Sequence, residues 1–128
     1  MMNNPTELLY SKSHEWVALD GTTARIGITD YAQEAMGDIV FVDLPEEGDE
    51  VVLEESFAEL ESVKAVAPVY SPVSGTISAV NEALLDAPES INEAPYEAWI
   101  IEVEGISAQE DLMTAEEYEA FVEKEKEA

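Results

Sequence analysis

The chain contains no cysteine. Structural disulfides, thiolate metal sites and cysteine nucleophiles are therefore excluded. Its one histidine, His14, cannot build a histidine-rich metal site. Carboxylates alone bind hard cations, and no metal centre is expected. Basic residues are almost as scarce: five Lys and Arg stand against 30 Asp and Glu, for a net charge of -25 at pH 7. Nucleic acid and anionic membrane surfaces are met by positive charge, so neither is expected as a partner. Long apolar runs are missing too. The longest aliphatic or aromatic run, Ile39-Val40-Phe41-Val42, is far too short to cross a bilayer. The polar start, Met1 to Glu7, lacks the basic-then-apolar pattern of a signal peptide. A soluble protein of the cytoplasm is expected. Glycine-rich phosphate loops and Ser-His-Asp spacings are absent, and no catalytic residue is expected.

What is present suits a folded domain. With 128 residues, 46% of them apolar, the chain is long and hydrophobic enough to bury a core without staples. A single domain over 1–128 is expected. The acids are spread along the whole chain. Two explanations stand: a docking surface for basic partners, or solvation in the salty cytoplasm of a salt-adapted (halophilic) organism. The dispersal favours the second.

The pattern is one of short strands. Glu15 to Leu19 and Thr22 to Ile28 alternate around Asp20-Gly21, a hairpin signal. Thr29-Asp30 starts a short helix, with Gln33 spaced for a capping box from Asp30 and Gly37 placed to end it. Asp38 to Leu44 reads as a strand. From Glu50 to Val80, short strands alternate with turns, and Pro68 and Pro72 fit sheet edges or strand ends. A helical turn is expected at Glu82 to Leu85, and a strand over Tyr96 to Glu104 centred on Trp99-Ile100-Ile101. Thr114 and Glu117 form a capping box before the stripe Tyr118, Phe121, Val122, which predicts a C-terminal helix over about 114–124. The sum is mainly β, a sandwich or flattened barrel with a short internal helix and a C-terminal helix. Trp16, Trp99, Phe41 and Phe57 are expected in its core.

One lysine stands apart. Between Arg25 and Lys124 the only cation is Lys64, in Glu61-Ser62-Val63-Lys64-Ala65. A chance surface lysine would need no explanation. The flanking pattern offers one. Gly48, Val51, Phe57 and Leu60 precede it, and Val69, Gly75 and Ile77 follow, so two strands can be anchored in one core with Lys64 at the hairpin between them. Such a tip is open to a modifying enzyme while its base is held still.

These spacings resemble the attachment pattern of lipoyl domains, with a lipoyl hairpin over about 48–77. The related biotin carriers usually flank the lysine with methionines; here Val63 and Ala65 flank it, which favours lipoate. The resemblance narrows to the H proteins of the glycine cleavage system. It is carried by Ser13-His14-Glu15-Trp16-Val17, Ile26-Gly27-Ile28-Thr29-Asp30-Tyr31-Ala32-Gln33, Gly37-Asp38-Ile39-Val40-Phe41-Val42-Asp43-Leu44-Pro45, Glu61-Ser62-Val63-Lys64-Ala65, Ser71-Pro72-Val73-Ser74-Gly75, and Asn92, Pro95, Tyr96 and Trp99. It covers about residues 8 to 123. It implies a lipoyl/biotinyl-type fold and a non-catalytic swinging-arm carrier with lipoic acid held as lipoamide on Lys64, supported by Glu61, Ser62, Val63 and Ala65. The implied partners are a pyridoxal-phosphate glycine decarboxylase (P protein), which loads the aminomethyl group, and a tetrahydrofolate-dependent aminomethyltransferase (T protein), which takes it. Dihydrolipoamide dehydrogenase (L protein) would then accept the electrons. A lipoyl or octanoyl transferase, or a lipoate ligase, would modify Lys64 first.

The resemblance also implies that Glu15, with Ser13, holds the carried aminomethyl group in a surface cleft. The plainer reading makes Glu15 one more solvated acid. His14 and Glu15 would face opposite ways on a strand and so would not act together as acid and base. Two positions depart from the family's pattern. Pro68 stands where a polar or acidic residue is common, and Ala98 where glycine is common, which bears on contacts to the arm. A carrier that relays lipoyl groups to other proteins, a biotin carboxyl carrier and an acidic binding module without cofactor remain as alternatives.

Overall fold

The computed structural model describes residues 4–127; Met1 to Asn3, the beginning of the polar start read above, lie outside them. Nine strands form two antiparallel sheets. The larger contains β1 (Leu9–Tyr10), β2 (Glu15–Asp20), β3 (Thr23–Ile28), β5 (Glu50–Val51), β8 (Val73–Val80) and β9 (Ile101–Gln109), in the order β1-β2-β3-β9-β8-β5. The smaller contains β4 (Ile39–Asp43), β6 (Ser56–Ser62) and β7 (Val66–Tyr70), in the order β4-β6-β7. Among the described residues there are also four helices: α1 (Asp30–Met36), the short α2 (Ala83–Asp86) and α3 (Ser90–Glu93), and α4 (Ala115–Glu127). None of them is long and apolar enough to cross a membrane.

The main core lies between the sheets. Ile26, Ile28, Ile77, Ile101 and Val103 of the larger sheet meet Val42, Leu60 and Val69 of the smaller, closed off by Leu84 and Ile91 of the short helices. Burying each such aliphatic side chain is worth about 1.5–3 kcal/mol. Alternation does the sorting: in β6 Ala58, Leu60 and Ser62 point in, and Glu59 and Glu61 point out. A second core fixes α4, where Tyr10, Trp16, Tyr118 and Val122 pack together and the rings of Tyr10 and Tyr118 stack with centroids 4.8 Å apart.

Four expectations need correction. The cap of α1 is Thr29, whose Oγ1 accepts from Ala32 N–H at 3.2 Å; Gln33 instead donates to the Asp30 side chain at 2.8 Å, so no capping box forms from Asp30. The final strand starts at Ile101, and residues 96–100 lie outside it. Just before it, Glu97 and Ala98 both donate to the Ala94 carbonyl, a tight turn that cannot be strand. The strand then runs on through exposed Ser107 and Gln109, where no apolar pattern betrays it. Trp16 is buried, but Trp99 and Phe57 are only half-buried, and Phe41 is 54% exposed. A bulge in β4 between Ile39 and Phe41 breaks the alternation and turns both Val40 and Phe41 outward.

Candidate functional site

Lys64 lies in the turn joining β6 to β7, at the end of the smaller sheet. The turn is tightly tied. Ser62 is buried, and its Oγ accepts from the Lys64 and Ala65 amides at 3.2 and 3.0 Å. The Ser62 amide donates to Ala65 O at 2.8 Å, and the Val63 amide donates to Asp38 O at 3.0 Å. Ser62 is thus the peg of the turn, while Val63, Lys64 and Ala65 are exposed around it. Glu61 points outward from β6 opposite Val66 and touches none of these bonds.

Below the lysine, Gly37 ends α1 with φ 83°, a left-handed conformation that favours glycine. A Cβ at Gly37 would lie 3.2 Å from Lys64 Cε, so the bare backbone also leaves room for the lysine's methylenes. Asn92 clamps this floor. Its Nδ2 donates to Gln33 Oε1 and Gly37 O, both at 2.9 Å, and its Oδ1 accepts from the Ile39 amide at 2.9 Å.

Glu15 occupies the opposite kind of environment. It is the first residue of β2 and only 2% exposed, so it is not one more solvated acid. Its Oε1 accepts from Ser11 Oγ at 2.5 Å and from Ser13 Oγ at 2.6 Å, and its Oε2 accepts from the Tyr70 amide at 3.3 Å. Burial pushes its carboxyl above the ordinary carboxylate range; the three donors pull it back, and Glu110 adds a smaller upward push. Beside it opens a shallow cavity of about 350 Å3 lined by Lys12, Ser13, Glu54, Tyr70 and Glu110. Glu110 is itself raised, by burial first and by Glu54 second.

His14 turns away from Glu15. With φ 72° it lies outside the strand; its Nδ1 sits 2.7 Å from Tyr118 Oη and its Nε2 2.9 Å from Glu125 Oε2. Burial lowers its pKa and Glu125 raises it. It fastens α4 and takes no part in the cleft. The sequence does not point to Ser11 or the Tyr70 amide as groups of the site, although Ser11 leaves a trace in the alternation Ser11-x-Ser13-x-Glu15. It marks Gly37 as the stop of the first helix, which it is, and Asn92 as part of a resembling segment, but assigns neither to the floor beneath the lysine.

Two facing sheets that hold one exposed lysine at a pinned hairpin tip define a carrier domain of the lipoyl type. The comparisons narrow the class. The model of the glycine cleavage H-protein family matches residues 8–125, and the chain belongs to that family. It is 58% identical over 121 residues to a glycine cleavage system H protein of Lachnoclostridium phytofermentans, covering 94% of this chain and 95% of that one. It is 55% identical over 128 residues to one of Halalkalibacterium halodurans, covering 98% and 100%. The crystal structure of a glycine cleavage system H protein from Mycobacterium marinum superposes with a TM-score of 0.87 at 41% identity, covering 91% of this chain and 97% of that one. The family consists of non-catalytic carriers with lipoate on a lysine, working with the P, T and L proteins of glycine cleavage. The lipoyl-bearing shuttle is the function these relatives support, and the biotin and relay alternatives are not favoured.

Proposed function

We propose that Lys64 is the lipoyl-bearing residue and that the Ser11–Glu15 corner receives the aminomethyl end of the arm. The observation that carries this reading is the contrast at Lys64: an exposed amine on a turn whose backbone is fixed by the buried Ser62 and by Asp38. Among the described residues it enters no salt bridge. When bound, a lipoyl group supplies a disulfide that is reduced as it takes up the aminomethyl group.

The chain's own residues supply position and charge. From the hairpin tip, the exposed faces of Val66, Pro68 and Tyr70 lead along β7 toward the cleft, a run of about 13 Å at the usual strand rise. Pro68 adds no charge to this track and suits a hydrocarbon chain. At its end Glu15 is held by Ser11, Ser13 and Tyr70, so its orientation is fixed before any ligand arrives. A carried ammonium beside it would favour its ionised form and would itself be held as a cation. Glu54 and Glu110 line the cavity with further negative charge, partly offset by Lys12. Ser13 keeps Glu15 aimed rather than holding the amine alone.

Intact mass and peptide mapping test the attachment. Chain isolated from cells that synthesise lipoate should carry one lipoyl or octanoyl addition, on the peptide containing Lys64. An addition mapped to Lys12, Lys124 or Lys126 would overturn the assignment.

A further inference from the structure

The most exposed large apolar side chains are Val63 (69%), Val66 (60%), Leu85 (56%), Phe41 (54%) and Val40 (52%). Three of them, Val66, Phe41 and Leu85, join into one surface. Phe41 pairs across the sheet with Glu61, and Glu61 with Val66, so these three side chains form one row on the outward face of the smaller sheet. That row flanks the hairpin turn: Val66 lies two residues after Lys64 and Glu61 three residues before it. Beyond β4, Phe41 and Leu85 frame a groove of about 440 Å3 with Leu44 and Val80 in its walls. Its rim is acidic: Asp43, Glu46, Glu47 and Glu82 surround the apolar floor.

The groove has no function in the carrier cycle as derived above, which runs along β7 to the far end of the sheet. It also exposes aromatic surface that the bulge in β4 has turned outward. An apolar centre within a charged rim is the anatomy of a protein interface. A second copy of this chain is a poor occupant, because two bodies of net charge -25 would bring acidic rims together.

We propose that this groove, with the Phe41–Glu61–Val66 row, docks the enzyme that acylates Lys64, through an apolar side chain set among lysines and arginines. The proposal rests on Lys64 as the attachment residue. Geometry selects this partner. The acylating enzyme must bring its bound carbonyl within bonding distance of Nζ itself and so must cover the surface around the hairpin. Enzymes that act on the far end of a long arm need not. With lipoate and ATP as co-substrates in a lipoate ligase, the lipoate carboxylate attacks the α-phosphate, the α–β phosphoanhydride bond breaks, pyrophosphate leaves and an acyl adenylate forms. The Lys64 amine, once its proton has passed to solvent, attacks the carbonyl; the amide C–N bond forms, the acyl–phosphate bond breaks and AMP leaves.

The test uses the full, unmodified chain with purified lipoate ligase, lipoate and ATP, and follows acylation by intact mass. Phe41→Ser and Leu85→Ser change exposed side chains, and melting curves check that the fold is kept. Each should lower kcat/KM about tenfold or more, as expected of a central anchor, mainly through KM. For the parent, kcat/KM should fall steeply between low salt and molar KCl, and Glu46→Gln with Glu82→Gln should flatten that dependence. Parent-like kcat/KM in both serine variants, or an unchanged salt dependence in the glutamine double variant, would overturn the docking site. So would a parent dimer that Phe41→Ser dissociates, since the groove would then belong to a second copy. Lys64→Arg separates the two levels: if it is still acylated, the attachment reading fails, whatever the groove does.

Discussion

The two ends of this carrier treat their key side chains in opposite ways. At the hairpin tip the backbone is pinned and the side chain is left free: Ser62 and Asp38 hold the turn, and Lys64 projects from it. At the Ser11–Glu15 corner the side chain itself is pinned: both carboxylate oxygens are bonded and Glu15 is 2% exposed. A tethered arm needs a firm anchor and a free beginning. A receptor for its charged end needs a carboxylate already desolvated and aimed, because a hydrogen bond to charge is worth most where water is excluded.

Several substitutions would break or sharpen that contrast. The largest effect belongs to Lys64→Arg, which keeps the positive charge and removes the acylatable amine. Reconstituted glycine cleavage should fall to background with the melting temperature unchanged; residual turnover near that of the parent would refute the free end as the site of attachment. Next comes Glu15→Gln. Lipoylation should proceed normally, while the isolated, loaded carrier should release its aminomethyl group about tenfold faster or more, the worth of a buried hydrogen bond to charge. Equal release rates would reduce the corner to a structural feature.

A smaller effect is expected at the floor beneath the lysine. Asn92→Ala leaves the Ile39 amide and the Gly37 carbonyl without their partner, at a cost of about 1–3 kcal/mol in unfolding free energy. Urea titration measures it, and an unchanged midpoint would show that the clamp is replaceable by water. The smallest effect is a difference in slope. Because burial raises the Glu15 pKa in the folded chain, its contribution is complete below the ordinary carboxylate range. It is then lost as pH rises from about 4.3 toward the folded value. Relative to Glu15→Gln, the parent should therefore lose stability over that window, by at most about 1.4 kcal/mol per pH unit. Parallel stability curves would mean that the three donors fully offset the burial.

The free end was legible in the sequence and the pinned end mostly was not. Lys64 stands between two runs of apolar positions, and Leu60, Val69 and Ile77 do enter the core as that spacing requires. Strand alternation carried this information directly. Glu15 was one acid among 30, and acids are almost always solvated. Its burial depends on Tyr70, which is 55 residues away in the chain. Phe41 misled for a related reason. Its composition and position suit a core strand, and only the bulge, an event of register against β6, turns it outward. The last strand was displaced because its beginning is set by a turn at Ala94 and its far half is polar.

The bonds of Asn92 carry one more consequence. Through them the footing of the lysine is assembled from α1, α3, the start of β4 and the hairpin, which are scattered from Gln33 to Asn92. The hairpin is therefore not a portable cassette. Excised as a peptide over 48–77, it would keep Ser62 but lose Asp38, Gly37 and everything that braces them, and an enzyme that reads the lysine's setting would meet a different object. The setting of the lysine is a property of the completed fold.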